Sequence, residues 1–263
     1  MLTEITENTS NTDAASLDTA SFTPVVGQLF FITGKRTDSA SMASDDWVIT
    51  QTGSTWDLVV TRLFTGTSAW RLSVFRCSAA GSAAVAAMTV DTAVNINRRK
   101  WSVQEPSSPL NGTVVQSAVN SNTFSTTPGV TLSAFGNAAN WTVLCCAQDG
   151  GTGTFTAESV DWTTPTDQGP GVFVVTYLDA NDTSPSGTWN TNRSWGAIGL
   201  ELEASVAPVT GFVLTPGSGV TNGSGVLTTT ATSDDALTAN GAVRLITATV
   251  NGTVVARLTH RPA

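Results

Sequence analysis

The amino-acid sequence predicts an all-β protein: a jelly-roll-like sandwich of two antiparallel sheets, followed by a small C-terminal β unit. Short apolar runs with alternating pattern recur from residue 22 to residue 203. Thr and Val, which suit a pleated surface, are abundant, whereas the Lys, Glu and Leu of surface helices are scarce. Only 12% of the 263 residues are charged, so hydroxyl and amide groups supply most of the polarity.

The chain divides into three segments. Residues 1–20 are polar without periodicity, which predicts an extended N-terminal arm that becomes ordered against a partner. Residues 21–204 carry the strand signals of the sandwich. Prolines and glycines after Ala204 mark a boundary, and residues 205–263 form a small β unit. We expect this unit to serve in docking or oligomerisation, because a core of that size is marginal alone.

The sandwich segment reads as one strand after another. In chain order the predicted strands are VGQLFFITG, DWVITQ, TWDLVVTRLF, AWRLSVFRCS, VAAMTVDTAVNI, KWSVQE, TVVQSAV, GVTLSAF, WTVLCCAQ, GVFVVTYLD and SWGAIGLELEA. In AWRLSVFRCS the alternation shifts near Phe75, as at a β-bulge. In SWGAIGLELEA, Trp195 and Ala197 share one face and Ile198 lies on the other, which is typical of a central strand.

The C-terminal unit contains four further strand signals, TGFVLT, GVLTTTAT, AVRLITATV and TVVARLTH. Asn251 and Gly252 separate the last two, and this dipeptide strongly favours a two-residue hairpin turn.

The three cysteines, Cys77, Cys145 and Cys146, are too few and too far from other ligands for a disulfide framework or a zinc site. Successive residues of a strand point to opposite faces, so Cys145 and Cys146 cannot share one pocket. The single histidine, His260, lies in the C-terminal unit, and no other histidine is present to activate a thiolate or a serine. We therefore interpret all three thiols as small buried apolar side chains.

Acidic residues offer two weaker candidate sites, one catalytic and one for a cation. Glu201 and Glu203 share one strand face, as a glycoside hydrolase pair would, although two such acids more often form a solvated face. The loop Asp179–Gly187 gathers oxygen ligands of the kind calcium prefers, on Asp179, Asn181 and Asp182, but lacks the EF-hand pattern, and a solvated turn is the favoured interpretation. No cofactor is expected.

The eight tryptophans fall near the ends of predicted strands, and most are expected in the core. Trp189 differs, because it lies in the polar stretch SGTWNTNRSW. An exposed ring there would stack on a sugar, with Asn190, Asn192 and Arg193 supplying polar contacts.

Charge and hydropathy exclude two classes of partner. The net charge is −8, and the few basic residues are scattered, so nucleic acid is not an expected ligand. The apolar runs are far shorter than a membrane span, and residues 1–20 have no apolar signal core, so no membrane association and synthesis in a reducing cytoplasm are expected.

The order of SFTPVVGQLFFITG, AWRLSVFRCSAAGS, RKWSVQEPSSPLNGTVVQSAVNS, WTVLCCAQDGGTGTFTAESVDWT and SWGAIGLELEA resembles a group of β-sandwich virion accessory proteins of tailed bacteriophages and prophages. The resemblance covers about residues 21–204 and brings no catalytic residues. It implies a non-enzymatic structural protein of the virion, a head decoration protein, head fibre or spike, or tail-associated protein. Its implied partners are the major capsid lattice and further copies of itself.

Two other function classes stay open on the sequence. The first is a carbohydrate-binding adhesin of a phage tail or head fibre, which would bind a host surface glycan through Trp189 and its neighbours. The second is a glycoside hydrolase.

Overall fold

The computed structural model describes residues 1–36, 42, 47–81, 85–107, 110–150, 153–167, 173–204, 245–250 and 253–259. The chain forms two compact units, Met1–Ser205 and Val206–Ala263. The prediction of an all-β protein is confirmed, since no helix occurs in the described ranges. It follows that no described helix is long and apolar enough to span a membrane.

Seventeen strands are described. Their bounds are β1 Leu2–Ser10, β2 Ala14–Asp18, β3 Leu29–Arg36, β4 Val48–Thr50, β5 Ser54–Thr65, β6 Ala69–Ala80, β7 Thr89–Ile96, β8 Arg98–Pro106, β9 Leu110–Ser125, β10 Trp141–Gln148, β11 Phe155–Ala157, β12 Thr163–Asp167, β13 Phe173–Leu178, β14 Gly187–Trp189, β15 Arg193–Ala204, β16 Leu245–Val250 and β17 Thr253–Thr259. All the paired strands are antiparallel.

Two five-stranded sheets form the centre of the first unit. The first has the order β1-β8-β3-β6-β5, and the second has the order β12-β13-β10-β15-β9. A three-stranded sheet, β2-β7-β4, and a two-stranded sheet, β11-β14, complete this unit. The strand order puts β3, β8 and β6 inside one central sheet, and β13, β10 and β15 inside the other.

Three hydrophobic cores separate these sheets. The first core lies between the two central sheets and joins Phe31 of β3 to Val143 of β10. The second joins the first central sheet to β7, as in the packing of Ile32 with Val90. The third joins the second central sheet to β11 and β14. The molecule therefore has more layers than the predicted two-sheet sandwich, and both central sheets are covered on both faces.

Double coverage explains why the alternation in β6 breaks down near Phe75. The pairing of β6 with β3 runs from Ala69 to Arg76 without a shift. Trp70 and Val74 enter the first core, whereas Phe75 points into the second. The irregularity lies in the neighbouring β5, between Leu58 and Val60. An apolar residue on either face of β6 is buried, so the pattern there is not a bulge.

The segment GVTLSAF is not a strand, contrary to the sequence prediction. It runs beside the loop before β14, where Val130 N donates to the carbonyl of Pro185 (3.1 Å) and Leu132 N donates to that of Thr183 (2.8 Å). Val130 and Leu132 are buried in the third core. The alternate apolar residues of this segment are therefore explained by an irregular stretch of chain that packs on a sheet and buries Val130 and Leu132.

Residues 1–20, expected as an extended arm that becomes ordered against a partner, pair with strands of their own chain. Leu2–Ser10 forms the edge strand β1 and pairs with β8, and Ala14–Asp18 pairs with β7. Their polar side chains suit edge positions, where the backbone of a neighbouring strand supplies the hydrogen bonds. Leu2 is buried in the first core and fixes the start of the strand.

The predicted hairpin of the C-terminal unit is confirmed. Strand β16 pairs with β17 in antiparallel register, and Val250 is opposite Thr253. The predicted strands TGFVLT and GVLTTTAT lie outside the described residues.

Glu4 connects the two central sheets where β1 lies beside β12. Thr166 Oγ1 donates a hydrogen bond to the Glu4 carboxylate, and Ser102 Oγ donates a weaker one at 3.4 Å. Burial raises the pKa of Glu4; the hydrogen bond from Thr166 partly opposes this rise, and the neighbouring Glu7 adds to it.

We expect Glu4→Gln to stabilise the protein at neutral pH, because the site disfavours the ionised carboxylate while the amide oxygen still accepts from Thr166. Folding raises this pKa, so the advantage of the variant is complete above the raised value and disappears below about pH 4, where the carboxyl is protonated in both states. Urea unfolding of the wild type and the variant from about pH 4 to neutral pH measures the difference in their free energies of unfolding, with Asp161→Asn at an exposed turn as the control. A pH-independent difference would contradict the expectation.

Candidate functional site

The adjacent cysteines lie on one strand and face different cores. Cys145 is buried in the first core and Cys146 in the third, while Cys77 is buried in the second. All three thiols are free, and burial raises the pKa of each. A thiol with a raised pKa in an apolar core is a poor nucleophile. The interpretation of the three cysteines as buried packing side chains is confirmed by their positions in the cores.

The expectation that Trp189 is exposed is wrong, since the side chain is 0% exposed. The short strand β14 pairs with β11, and the indole packs edge to face on Phe155 with 4.8 Å between ring centroids. Gly187 permits this arrangement, because a Cβ at that position would lie 2.2 Å from the Phe155 ring. A buried indole cannot stack on a sugar.

The residues next to Trp189 are divided between structure and surface. Asn190 is exposed, but its side-chain oxygen accepts a hydrogen bond from Thr154 N (2.8 Å). Asn192 and Arg193 are exposed at the start of β15. Of the four expected sugar contacts, Trp189 is therefore inaccessible, whereas Asn190, Asn192 and Arg193 are exposed.

The candidate cation loop is held by hydrogen bonds within itself and to Thr142 and Asn137. Asp182 N donates to Thr142 Oγ1 (2.8 Å), and its carboxylate accepts from Ser184 N (2.8 Å). Asn181 donates to the carbonyl of Asn137, and Asp179 is exposed. No group of three or more His, Cys, Asp or Glu side chains suited to a metal occurs in the part of the chain that the structure describes. These contacts are those of a closed turn.

Glu201 and Glu203 have different surroundings. Glu201 is buried, and its two oxygens accept from Asn140 Nδ2 (2.5 Å) and Gln116 Nε2 (2.6 Å). Glu203 is partly exposed and accepts from Asn111 Nδ2 (3.0 Å). The buried carboxylate thus joins β9, β15 and the residue before β10, which is a structural arrangement.

The most elaborate polar site is centred on Asp149, which directly follows β10. One carboxylate oxygen accepts from Thr67 N (2.5 Å) and Thr67 Oγ1 (2.9 Å). The other accepts from the Trp70 indole N–H (2.9 Å) and lies 4.0 Å from Lys35 Nζ. Lys35 Nζ is also 5.6 Å from the centroid of the Trp70 ring. Asp149 is almost fully buried and connects the second central sheet to three points of the first.

Gly66 is required beside this carboxylate. A Cβ on Gly66 would lie 2.1 Å from an Asp149 oxygen, well inside contact distance. The turn between β5 and β6 can therefore approach Asp149 only with glycine at this position.

An open cleft of about 470 Å³ lies beside the Asp149 site. Phe124 and Arg193 are exposed in its lining, together with the hydroxyl-bearing Thr67 and Thr123. Phe124 is 72% exposed, which is unusual for a phenyl ring in a folded domain. The cleft thus brings an accessible ring and a guanidinium close to each other.

The edge strands β5 and β9 lie side by side and form what we call the lateral edge. Arg62 on β5 donates to Ser121 Oγ on β9 (2.6 Å). Five exposed apolar side chains belong to this edge: Leu58, Leu63, Val115, Val119 and Phe124. At one end a groove of about 320 Å³ is lined by Asp57, Arg76 and residues 113–117.

Sequence patterns did not reveal Asp149, Phe124 or the lateral edge. Asp149 follows an apolar strand and precedes a Gly pair, which reads as an ordinary turn. The residue pattern of a strand does not tell whether the strand lies at the edge or in the centre of its sheet, because this depends on the neighbouring strands. The one available signal was the absence of charge throughout TVVQSAVNSNTFS.

We expect Asp149→Ala to lower the free energy of unfolding by about 3 kcal/mol, because it leaves a buried indole N–H and Thr67 N without their acceptor. Gly66→Ala should act in the same direction through its clash. Urea unfolding measures both, and Asp161→Ala at an exposed turn should change stability by less than about 0.5 kcal/mol. A loss for Asp149→Ala no greater than that of the control would show that the carboxylate is not a stabilising connection.

Comparisons of this chain with protein-family models, curated proteins and solved structures found no match.

Proposed function

We propose that this chain is a non-enzymatic structural protein of a bacteriophage particle, which decorates or projects from the capsid by binding the major capsid lattice. Its jelly-roll-like character and its location on the virion, after synthesis in the host cytoplasm, are parts of the same proposal.

The lateral edge carries this proposal. Five large apolar side chains are exposed along two neighbouring edge strands, and a concentration of exposed apolar side chains favours contact with another protein. The groups first considered for catalysis contribute to packing instead: the thiols lie in cores, and Glu201 is bound by two amides. A surface suited to contact, on a scaffold whose reactive groups are buried, supports a structural role.

We expect the full chain to co-sediment with purified capsids, and Leu58→Lys on β5 to weaken that binding about tenfold or more, because the charge enters an apolar contact. The matched control is Val160→Lys, since Val160 is exposed in a turn away from this edge. Quantitative sedimentation with capsids that lack the protein is the measurement. Absence of capsid binding by the wild-type chain would refute the proposal.

A second candidate function is glycan binding, and the cleft at Phe124 and Arg193 favours it. An exposed phenyl ring offers a surface for the apolar face of a sugar ring. Arg193 forms no ion pair within the described residues and is available to a sugar carboxylate or hydroxyl. The candidate sugar site of this second proposal therefore lies beside β9 rather than at Trp189.

If the cleft binds glycans, Phe124→Ala and Arg193→Ala should each reduce binding to an array of neutral and acidic glycans by about tenfold. Val26→Ala, at an exposed position outside the cleft, is the control. Wild-type binding that both variants retain in full would exclude this site, and no binding at all would remove the adhesin from consideration.

A further inference from the structure

We propose that a second copy of this chain pairs with β9 in antiparallel orientation, around a twofold axis at Val119. This deepens the proposed function, on which it rests for the use of the lateral edge, by assigning the β9 strand of that edge to a second copy.

The middle of strand β9, residues 116–122, lacks the usual protection of an exposed edge, because the register shifts of β9 lie on either side of it. Natural edge strands carry charged residues, prolines or bulges that prevent pairing with another chain. The sixteen residues of β9 include no charged residue and no proline. One side of β9 pairs with β15, and β9 is the last strand of its sheet. None of the strands that the structure describes pairs with its other side.

The regular part of β9 selects the register. Residues 116–122 pair with β15 without interruption, and the register shifts on both sides of this segment. The centre of the segment is Val119, whose side chain is exposed. A twofold axis there pairs the whole segment with itself, places Val119 against its symmetry mate, and sets Ser117 opposite the second copy's Ser121. An isologous interface of this kind closes as a dimer.

Charge complementarity supports the same register. Asp57 lines the groove that reaches Ser117, whereas Arg62 donates to Ser121. The proposed pairing sets Ser117 opposite the second copy's Ser121, so Asp57 of each copy faces Arg62 of the other. Asp57 has no ion pair among the residues that the structure covers, and Arg76, opposite it on β6, donates to the carbonyl of Gly112. Two such pairs form across the axis.

The size of the edge fits a weak, reversible contact. An axis at Val119 pairs residues 113–125 of β9 with their symmetry mates, and these thirteen residues extend about 43 Å, while two stacked sheets lie about 10 Å apart. The strip therefore offers about 430 Å² on each copy, or about 860 Å² in total, which is in the range of weak or transient interfaces. Because the net charge of each copy is −8, the uncharged strand β9 is also a place where two copies repel one another little.

A charge exchange tests the pairing. The wild-type chain should sediment at twice its monomer mass of 27.2 kDa. Asp57→Arg and Arg62→Asp should each weaken self-association about tenfold or more, since like charges then face each other, and the double variant should recover it to within about threefold. Analytical ultracentrifugation gives the dissociation constants, and circular dichroism verifies that each variant is folded.

A crosslink tests the axis independently. Opposite residues in an antiparallel pair lie about 4.5–5.5 Å apart at their Cα atoms, within disulfide range. Val119→Cys should therefore form an intermolecular disulfide under mild oxidation, and the three native thiols are buried. Ser117→Cys is the control, because its own symmetry mate would be about 13 Å away along the strand.

The outcomes separate this inference from the proposed function. A monomeric wild-type chain, single charge variants that still dimerise, or a Ser117→Cys crosslink as efficient as that of Val119→Cys would overturn the pairing. Capsid binding by a strictly monomeric chain would refute the dimer but retain the structural role. A dimer with this register that fails to bind capsids would retain the dimer and refute the capsid proposal.

Discussion

Both central sheets are buried on both faces, and this constraint governs the residues that their strands can carry. A strand with one solvated face alternates apolar and polar side chains, whereas one between two cores requires apolar or small residues at successive positions. The run Val143, Leu144, Cys145, Cys146 and Ala147 meets this requirement, as does the interior of β15. The high apolar content and low charge of the chain follow from the number of layers that must be covered.

Polar groups that enter such a structure must find partners, because an unpaired buried charge is strongly destabilising. Asp149 and Glu201 are examples at opposite ends of strand β10. Each is nearly inaccessible, and each accepts hydrogen bonds from more than one element. Hydrophobic burial is weakly directional, whereas these bonds specify one relative position of the strands. The cores thus supply most of the cohesion, and the carboxylates fix the alignment.

The sequence was informative where local pattern and burial agree. The all-β class, the central position of β15, the opposite orientations of Cys145 and Cys146, and the C-terminal hairpin were all readable from period-2 alternation and turn chemistry. Properties that depend on the neighbouring strands could not be predicted from these local patterns. Trp189 lies among polar residues, yet β11 covers it, and residues 1–20 lack an apolar pattern because they occupy edges. Neither the additional layers nor the cleft at Phe124 has a signature in the order of residues.

Each of the three hydrophobic cores contains one thiol: Cys145 in the first, Cys77 in the second and Cys146 in the third. A buried thiol reacts with a small reagent only when its surroundings open, so each thiol is a separate probe of the opening of its own core. The reaction rates under native conditions rank the layers by how often they come apart. Unequal rates for Cys145 and Cys146, neighbours on one strand, would mean that a covering sheet detaches while β10 stays in place. The order in which the layers separate is therefore measurable in the unmodified chain.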